Sequence, residues 1–145
     1  MENSEVRTVY VRGSGKGLAQ QIQIAPHTII SDEPVSAGGT DTGPNPYDLL
    51  LGALGACTSM TMSMYARRKA WPLEDVIVHL RHTRIHAADC DDCGTKETRL
   101  DQIERDIHVR GNLSEAQRSR LLEIANKCPV HRTLASGIHI ETRMV

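Results

Sequence analysis

The chain alternates between short stretches whose apolar residues recur every second position and two stretches with helical periodicity. Val6 to Val11 is β-prone, and Gly13-Ser14-Gly15-Lys16-Gly17 behind it is a turn signal, so a hairpin with a strand over Leu18 to Ile24 is predicted. A third extended piece, His27 to Ser31, leads into Ala37 to Asn45, a loop rich in Gly, Thr, Asp and Pro whose backbone amides are candidates for holding a ligand. Asn45-Pro46 reads as an N-cap with proline at the first helical position, opening a long helix to about Lys69 that Pro72 forbids from continuing. Its apolar residues, among them Leu49, Leu50, Leu54, Cys57, Met60 and Met64, cover most of its circumference, which predicts burial on nearly all sides. Gly52 and Gly55 predict the close approach of another backbone.

Val76 to Ile85 and Ile103 to Val109 alternate as strands, separated by a hydrophilic loop with Cys90 and Cys93. Ser114 and Gln117 form a capping box for a second helix with the apolar face Leu121, Leu122, Ile124 and Ala125, ending near Lys127. Pro129 holds Cys128 extended and starts a short helical turn through Leu134, ended by Gly137. A final strand carries Ile138, Ile140, Thr142 and Met144 on one face. Three strands, a buried helix, two strands, a helix and a last strand make an α+β fold with antiparallel sheets and two main helices. At 145 residues, a single domain over 1–145 is expected. The long apolar helix exceeds what one such domain covers, which predicts a homodimer with this helix at or near the subunit interface.

Composition narrows the function. With no Phe, one Trp and three Tyr, the core must be aliphatic, and a base-stacking surface for single-stranded nucleic acid is not expected. A formal charge of -1 provides no field for phosphate backbones or anionic membranes, and Arg67-Arg68-Lys69 reads as a solvated helix end. The N-terminus lacks a signal-peptide pattern, and the longest apolar run, Leu49 to Cys57, is too short to span a bilayer. Neither nucleic acid nor membrane is expected as a partner, and the expected location is cytoplasmic. Four cysteines are too few for a secreted disulfide scaffold, so each is weighed for its own chemistry.

A thiol reacts as its thiolate, and an activated cysteine needs something that favours that form. Cys57 lies about three turns into its helix, beyond the free amides of the N-terminus, so activation requires a cation from elsewhere, best an arginine. On periodicity alone, a small buried hydrophobe is the commoner role for such a residue. Cys128 ends a helix, precedes proline and has His131 and Arg132 beyond it, and an inert helix-end thiol stands at even odds with a reactive one.

The stretch Asn45-Pro46-Tyr47-Asp48-Leu49-Leu50 leading to Gly55-Ala56-Cys57, and later Lys127-Cys128-Pro129-Val130-His131, resembles the OsmC/Ohr family of hydroperoxide-reducing proteins. Both motifs occur in the family's order, each at its helix. The resemblance implies an OsmC-like fold of two intertwined α+β subunits with the long central helix buried in the homodimer. It implies a thiol peroxidase, an organic hydroperoxide reductase with antioxidant, peroxiredoxin-like activity in the oxidative stress response. By position, Cys57 matches the peroxidatic cysteine and Cys128 the resolving one. Organic hydroperoxides would be reduced to alcohols through a Cys57 sulfenic acid and a Cys57–Cys128 disulfide, which a dithiol of lipoyl or thioredoxin type would reduce. No cofactor or metal is implied.

The chain departs from the family in one respect. Relatives of the Ohr type carry a glutamate directly after the first motif's proline and use it to orient an activating arginine, whereas Tyr47 stands here. Asp48 points about 100° away on a helix. Glu33 is the alternative carboxylate, and Arg12, at the hairpin end, the preferred activating arginine. A second reading is a non-catalytic OsmC-like dimer that binds small molecules or senses redox state. A third uses Cys90-Asp91-Asp92-Cys93 with His82 and His86 as a metal site, although a solvated loop or a redox pair suits that CxxC better. Gly13 to Gly17 lacks the following helix of a phosphate-binding loop, which excludes nucleotide binding there.

Overall fold

A computed structural model of the chain describes residues 6–86 and 99–145. The chain divides into two compact units, Met1–Leu50 and Leu51–Val145.

In the first unit β1 (Tyr10–Gly13), β2 (Gln20–Ile24) and β3 (His27–Ser31) form an antiparallel sheet in that order. The register pairs Tyr10 with Gln23 and Gln20 with Ser31. The predicted turn and the two later strands are as expected, while β1 begins four residues later than the apolar run that announced it. The segment after β3 is closed on itself by one carboxylate. Asp32, 2% exposed, accepts from the backbone amides of Glu33, Thr40 and Thr42 and from both threonine hydroxyls at 2.6–3.2 Å. These bonds, with Asp41 N–H on the Glu33 carbonyl at 3.1 Å, consume amides that the sequence offered as ligand donors. Five donors hold the carboxyl far below its ordinary range despite its burial, the Thr40 hydroxyl contributing most. Gly39 and Gly43 are required in this loop, because a Cβ would overlap the Glu33 carbonyl at one and the Ile30 carbonyl at the other.

Helix α1 (Pro46–Arg68) starts as the sequence predicts. Asp48 N–H donates to Asn45 Oδ1 at 2.8 Å, and Asn45 N–H donates back to Asp48 Oδ2 at 3.1 Å, a reciprocal cap. In the second unit β4 (Leu73–His86) and β5 (Arg99–Gly111) pair antiparallel, with Val76 opposite Val109 and Leu80 opposite Arg105. Helix α2 (Glu115–Ala125) follows behind the predicted Ser114/Gln117 capping box, and α3 (Pro129–Ser136) behind the N-cap Cys128. The core joins Met62 and Ala66 of α1 to Leu121 and Ala125 of α2.

Three expectations are corrected, and the burial expected of α1 holds within one chain only along a stripe at i, i+4 spacing, Leu54, Thr58, Met62 and Ala66, while Met60 and Met64 are 63% and 70% exposed. A single copy covers one face of this helix only. Leu122 likewise points outward from α2, at 56% exposed. Gly55 admits a side chain rather than a backbone, since its absent Cβ would stand 2.8 Å from Leu80 Cδ1, and nothing lies within 4 Å of the Cβ position at Gly52. The final strand does not form: residues 138–145 carry no strand, and Ile138 and Ile140 are 57% and 77% exposed. Alternation makes a strand only where an edge and an apolar surface receive it, and here neither does.

By length and mean hydropathy, 1.3, α1 also passes as a bilayer-crossing helix, which counting uninterrupted apolar residues missed. Its buried stripe packs on α2, and Thr58 accepts a hydrogen bond from an arginine, so within this unit it is a core helix.

Candidate thiol site

Gly55 sets the site. Without a side chain there, α1 comes down onto Leu80 of β4, whose cross-strand partner on β5 is Arg105. Arg105 occupies the same face of β5 as Ile103, Ile107 and Val109, so its side chain is turned inward by strand alternation. One turn along α1 from Gly55 it meets Thr58, whose Oγ1 accepts from Arg105 Nη1 at 2.8 Å. The remaining guanidinium hydrogens reach the Ala125 carbonyl at 3.4 Å, Asn126 Oδ1 at 2.9 Å and His131 Nδ1 at 3.1 Å. All four partners are neutral groups. Among the described residues Arg105 forms no ion pair, so its charge is free to favour an anion at this place.

The anion on offer is a thiolate. Cys128 is fully buried and in extended conformation (φ -60°, ψ 137°), as proline after it requires. As the N-cap of α3, its Sγ accepts the His131 N–H at 3.3 Å. Burial works against its charge. The amides of His131 and Val130 and the side chains of Cys57 and Thr58 donate to it, and the net effect is a pKa below the ordinary thiol value. Cys57 is half-buried and stands one residue before Thr58 on α1, whose Oγ1 lies 4.0 Å from the Cys128 sulfur. The two cysteines singled out in the sequence are thus brought together, both as free thiols.

His131 adds a defined tautomer. Its pKa is lowered by burial and then by the Arg105 charge, so the ring is neutral near pH 7. Arginine can only donate, so Nδ1 is the acceptor and the ring proton resides on Nε2. Beside this cluster lies a groove of about 440 Å³. Leu54, Ile103, Leu134 and Ala135 give it apolar walls, with Asp101, Arg105 and His131 as its polar lining.

The two supporting residues named from the sequence lie in the first unit. Arg12 is on β1 opposite Gln21, and Glu33 follows Asp32 in the closed loop; no ion pair joins them among the described residues. Of the residues considered for a metal site, His82 contacts Asp101 Oδ1 at 2.9 Å, while Cys90 and Cys93 lie outside the described residues. Sequence reasoning missed Arg105, Thr58 and Asn126. A signal for Arg105 was present, an arginine in step with Ile103, Ile107 and Val109 on the apolar face of a strand.

The profile of the OsmC family, described as OsmC-like protein, matches residues 39–143, and the chain belongs to that family. Solved structures share the fold. An OsmC-like protein from Mycoplasma pneumoniae superposes with a TM-score of 0.70 at 18% identity, over 91% of this chain and 89% of that one. The organic hydroperoxide resistance protein OsmC from Legionella pneumophila gives 0.64 at 17% identity over 90% of both chains. An organic hydroperoxide resistance protein from Elizabethkingia anophelis gives 0.66 at 16% identity, over 91% and 89%. No curated protein matches the sequence at a significant level.

Proposed function

We propose that this protein is a thiol-dependent peroxidase that reduces organic hydroperoxides to alcohols. The observation that carries the proposal is the buried Cys128 against Thr58, the α1 neighbour of Cys57, beside the cation of Arg105, which has no carboxylate partner among the described residues. Cys57, the more accessible sulfur, attacks the distal peroxide oxygen; the O–O bond breaks, alcohol leaves, and Cys57 becomes a sulfenic acid. Cys128 then attacks that sulfur, water leaves, and the disulfide awaits a dithiol of lipoyl or thioredoxin type. The apolar walls of the groove favour a hydroperoxide on a carbon chain over hydrogen peroxide. The hydroperoxide resistance named for the Legionella and Elizabethkingia proteins agrees with this reading. A cytoplasmic location, where thiols stay reduced between turnovers, belongs to the same reading.

The working form is a homodimer. Ala53, Ala56, Met60 and Met64 make an exposed apolar stripe on α1 opposite its buried one, and a second copy of this chain is the cover the reading assigns to it. Sedimentation velocity should give a dimer for the wild type and a monomer for Met64→Glu. Function is tested by turnover of cumene hydroperoxide with a dithiol. Activity in the wild type and none in Cys57→Ser supports the peroxidase, whereas an inert wild type with every dithiol class tried leaves a non-catalytic redox-sensing or small-molecule-binding dimer.

A further inference from the structure

We propose that His131 is a catalytic hydrogen-bond donor, its Nε2–H meeting the peroxide oxygen that leaves as alkoxide when Cys57 is oxidised. This rests on the peroxidase reading and gives the leaving oxygen a partner in the protein. Arg105 has no terminal hydrogen left for that task. Its Nη1 donates to Thr58 Oγ1 at 2.8 Å and the Ala125 carbonyl at 3.4 Å, and its Nη2 to Asn126 Oδ1 at 2.9 Å and His131 Nδ1 at 3.1 Å, which commits all four. What Arg105 passes on is a fixed imidazole. A ring nitrogen that accepts from arginine carries no proton, so the hydrogen stands on Nε2. Donation to Nδ1 also polarises the ring and strengthens Nε2–H as a donor.

Nε2 itself is open. It has no hydrogen-bond partner among the described residues, and none of their buried side-chain nitrogens or oxygens lacks one, so this atom lies at the surface. His131 lines the groove of about 440 Å³ together with Leu54, three residues before Cys57 on α1, and its backbone amide lies 3.3 Å from Cys128 Sγ. The groove's third polar residue, Asp101, contacts His82 at 2.9 Å and Arg84 at 3.3 Å and is a carboxylate, which only accepts. Apart from the Nε–H on the stem of Arg105, His131 therefore holds the free donor hydrogen among these polar side chains. Leu54, Ile103 and Leu134 beside it suit the organic group of the peroxide.

In the reaction, the Cys57 thiolate bonds to the distal peroxide oxygen, which keeps its hydrogen and becomes the sulfenic hydroxyl. The O–O bond breaks and its electron pair goes to the proximal oxygen, so negative charge develops there. His131 donates its Nε2–H to that oxygen and keeps the proton, since the bond is a hydrogen bond and not a transfer. The alkoxide then takes a proton from water and leaves as the alcohol. Cys57 has lost two electrons and the peroxide has gained them. A donor fixed in advance at the place where charge appears stabilises the transition state more than the bound substrate.

The test uses leaving groups of different basicity. Single-turnover rates of reduced wild type, His131→Leu and His131→Gln are measured with tert-butyl hydroperoxide and with peracetic acid, whose acetate needs little stabilisation as it leaves. Monobromobimane labelling of Cys57, which releases no oxygen anion, is followed on the same proteins. Loss of one such donor costs roughly 100-fold, so His131→Leu should reduce tert-butyl hydroperoxide about 100-fold more slowly, lose much less with peracetic acid, and label at the wild-type rate. His131→Gln, whose amide can accept from Arg105 and still donate, should recover part of the loss. Equal losses with both peroxides, or a matching loss of labelling, would overturn the assignment. In the wild type, 15N NMR should find the Nε2–H tautomer of His131, and the Nδ1–H tautomer would overturn it whichever variants fold. A wild type that labels with bimane but is inert to both peroxides would instead remove the peroxidase reading, and this role with it.

Discussion

Replacing Arg105 by methionine should slow thiol reactivity near neutral pH far more than a distant surface change does. Arg105 Nη1 lies 2.8 Å from Thr58 Oγ1, which lies 4.0 Å from Cys128 Sγ, so cation and sulfur are separated by no more than 6.8 Å. At an effective dielectric of about 20, unit charges at that distance attract by about 2 kcal/mol. Removing the cation should therefore lower the rate of thiol alkylation at neutral pH by roughly 30-fold. Arg105→Lys should fall between, because it keeps the charge but cannot reach Thr58, Asn126 and His131 with one planar fork. The assay is the pH dependence of monobromobimane labelling on reduced protein, with Cys57 and Cys128 resolved by peptide mapping. Circular dichroism confirms that each variant is folded. A folded Arg105→Met protein that labels as fast as wild type between pH 6 and 7 would refute the reasoning.

Three further outcomes follow from the same contacts. His131 should titrate below the usual histidine range in an NMR titration. Because the unfolded chain binds the proton more readily, the stability from this group is full above about pH 6.5 and declines as pH falls toward the folded pKa. Asp32→Asn should loosen the loop after β3, seen as faster hydrogen exchange at the Thr40 and Thr42 amides. In the wild type this carboxylate's contribution is present above the ordinary value of 3.8 and is lost progressively as pH falls below it, because the folded pKa is depressed. Leu121→Ala, at a position with no exposure, should cost about 3 kcal/mol in urea unfolding.

Local chemistry explains what was legible in the sequence. The Asn45-Pro46 start of α1, the Ser114/Gln117 box and the Cys128-Pro129 junction each specify their geometry within four residues, and each formed as read. The final strand failed because Ile138, Ile140, Thr142 and Met144 carry period two without specifying an edge to pair with. Helix α1 misled in another way, since apolar residues all round say that every side needs a cover but not which molecule supplies it. Cys57 and Cys128 lie 71 positions apart in sequence, and no local pattern says that they belong to one site; only the resemblance of their two motifs to a family suggested it. Arg105 was hidden because alternation was used to find its strand and not to ask which polar residue fell on the apolar face.

The most direct test is to add one equivalent of cumene hydroperoxide to fully reduced protein and map its disulfides by peptide mass spectrometry. An intramolecular Cys57–Cys128 disulfide formed in step with the alcohol is the predicted result. Peroxide left intact, with Cys57 and Cys128 both recovered as free thiols, would contradict the account.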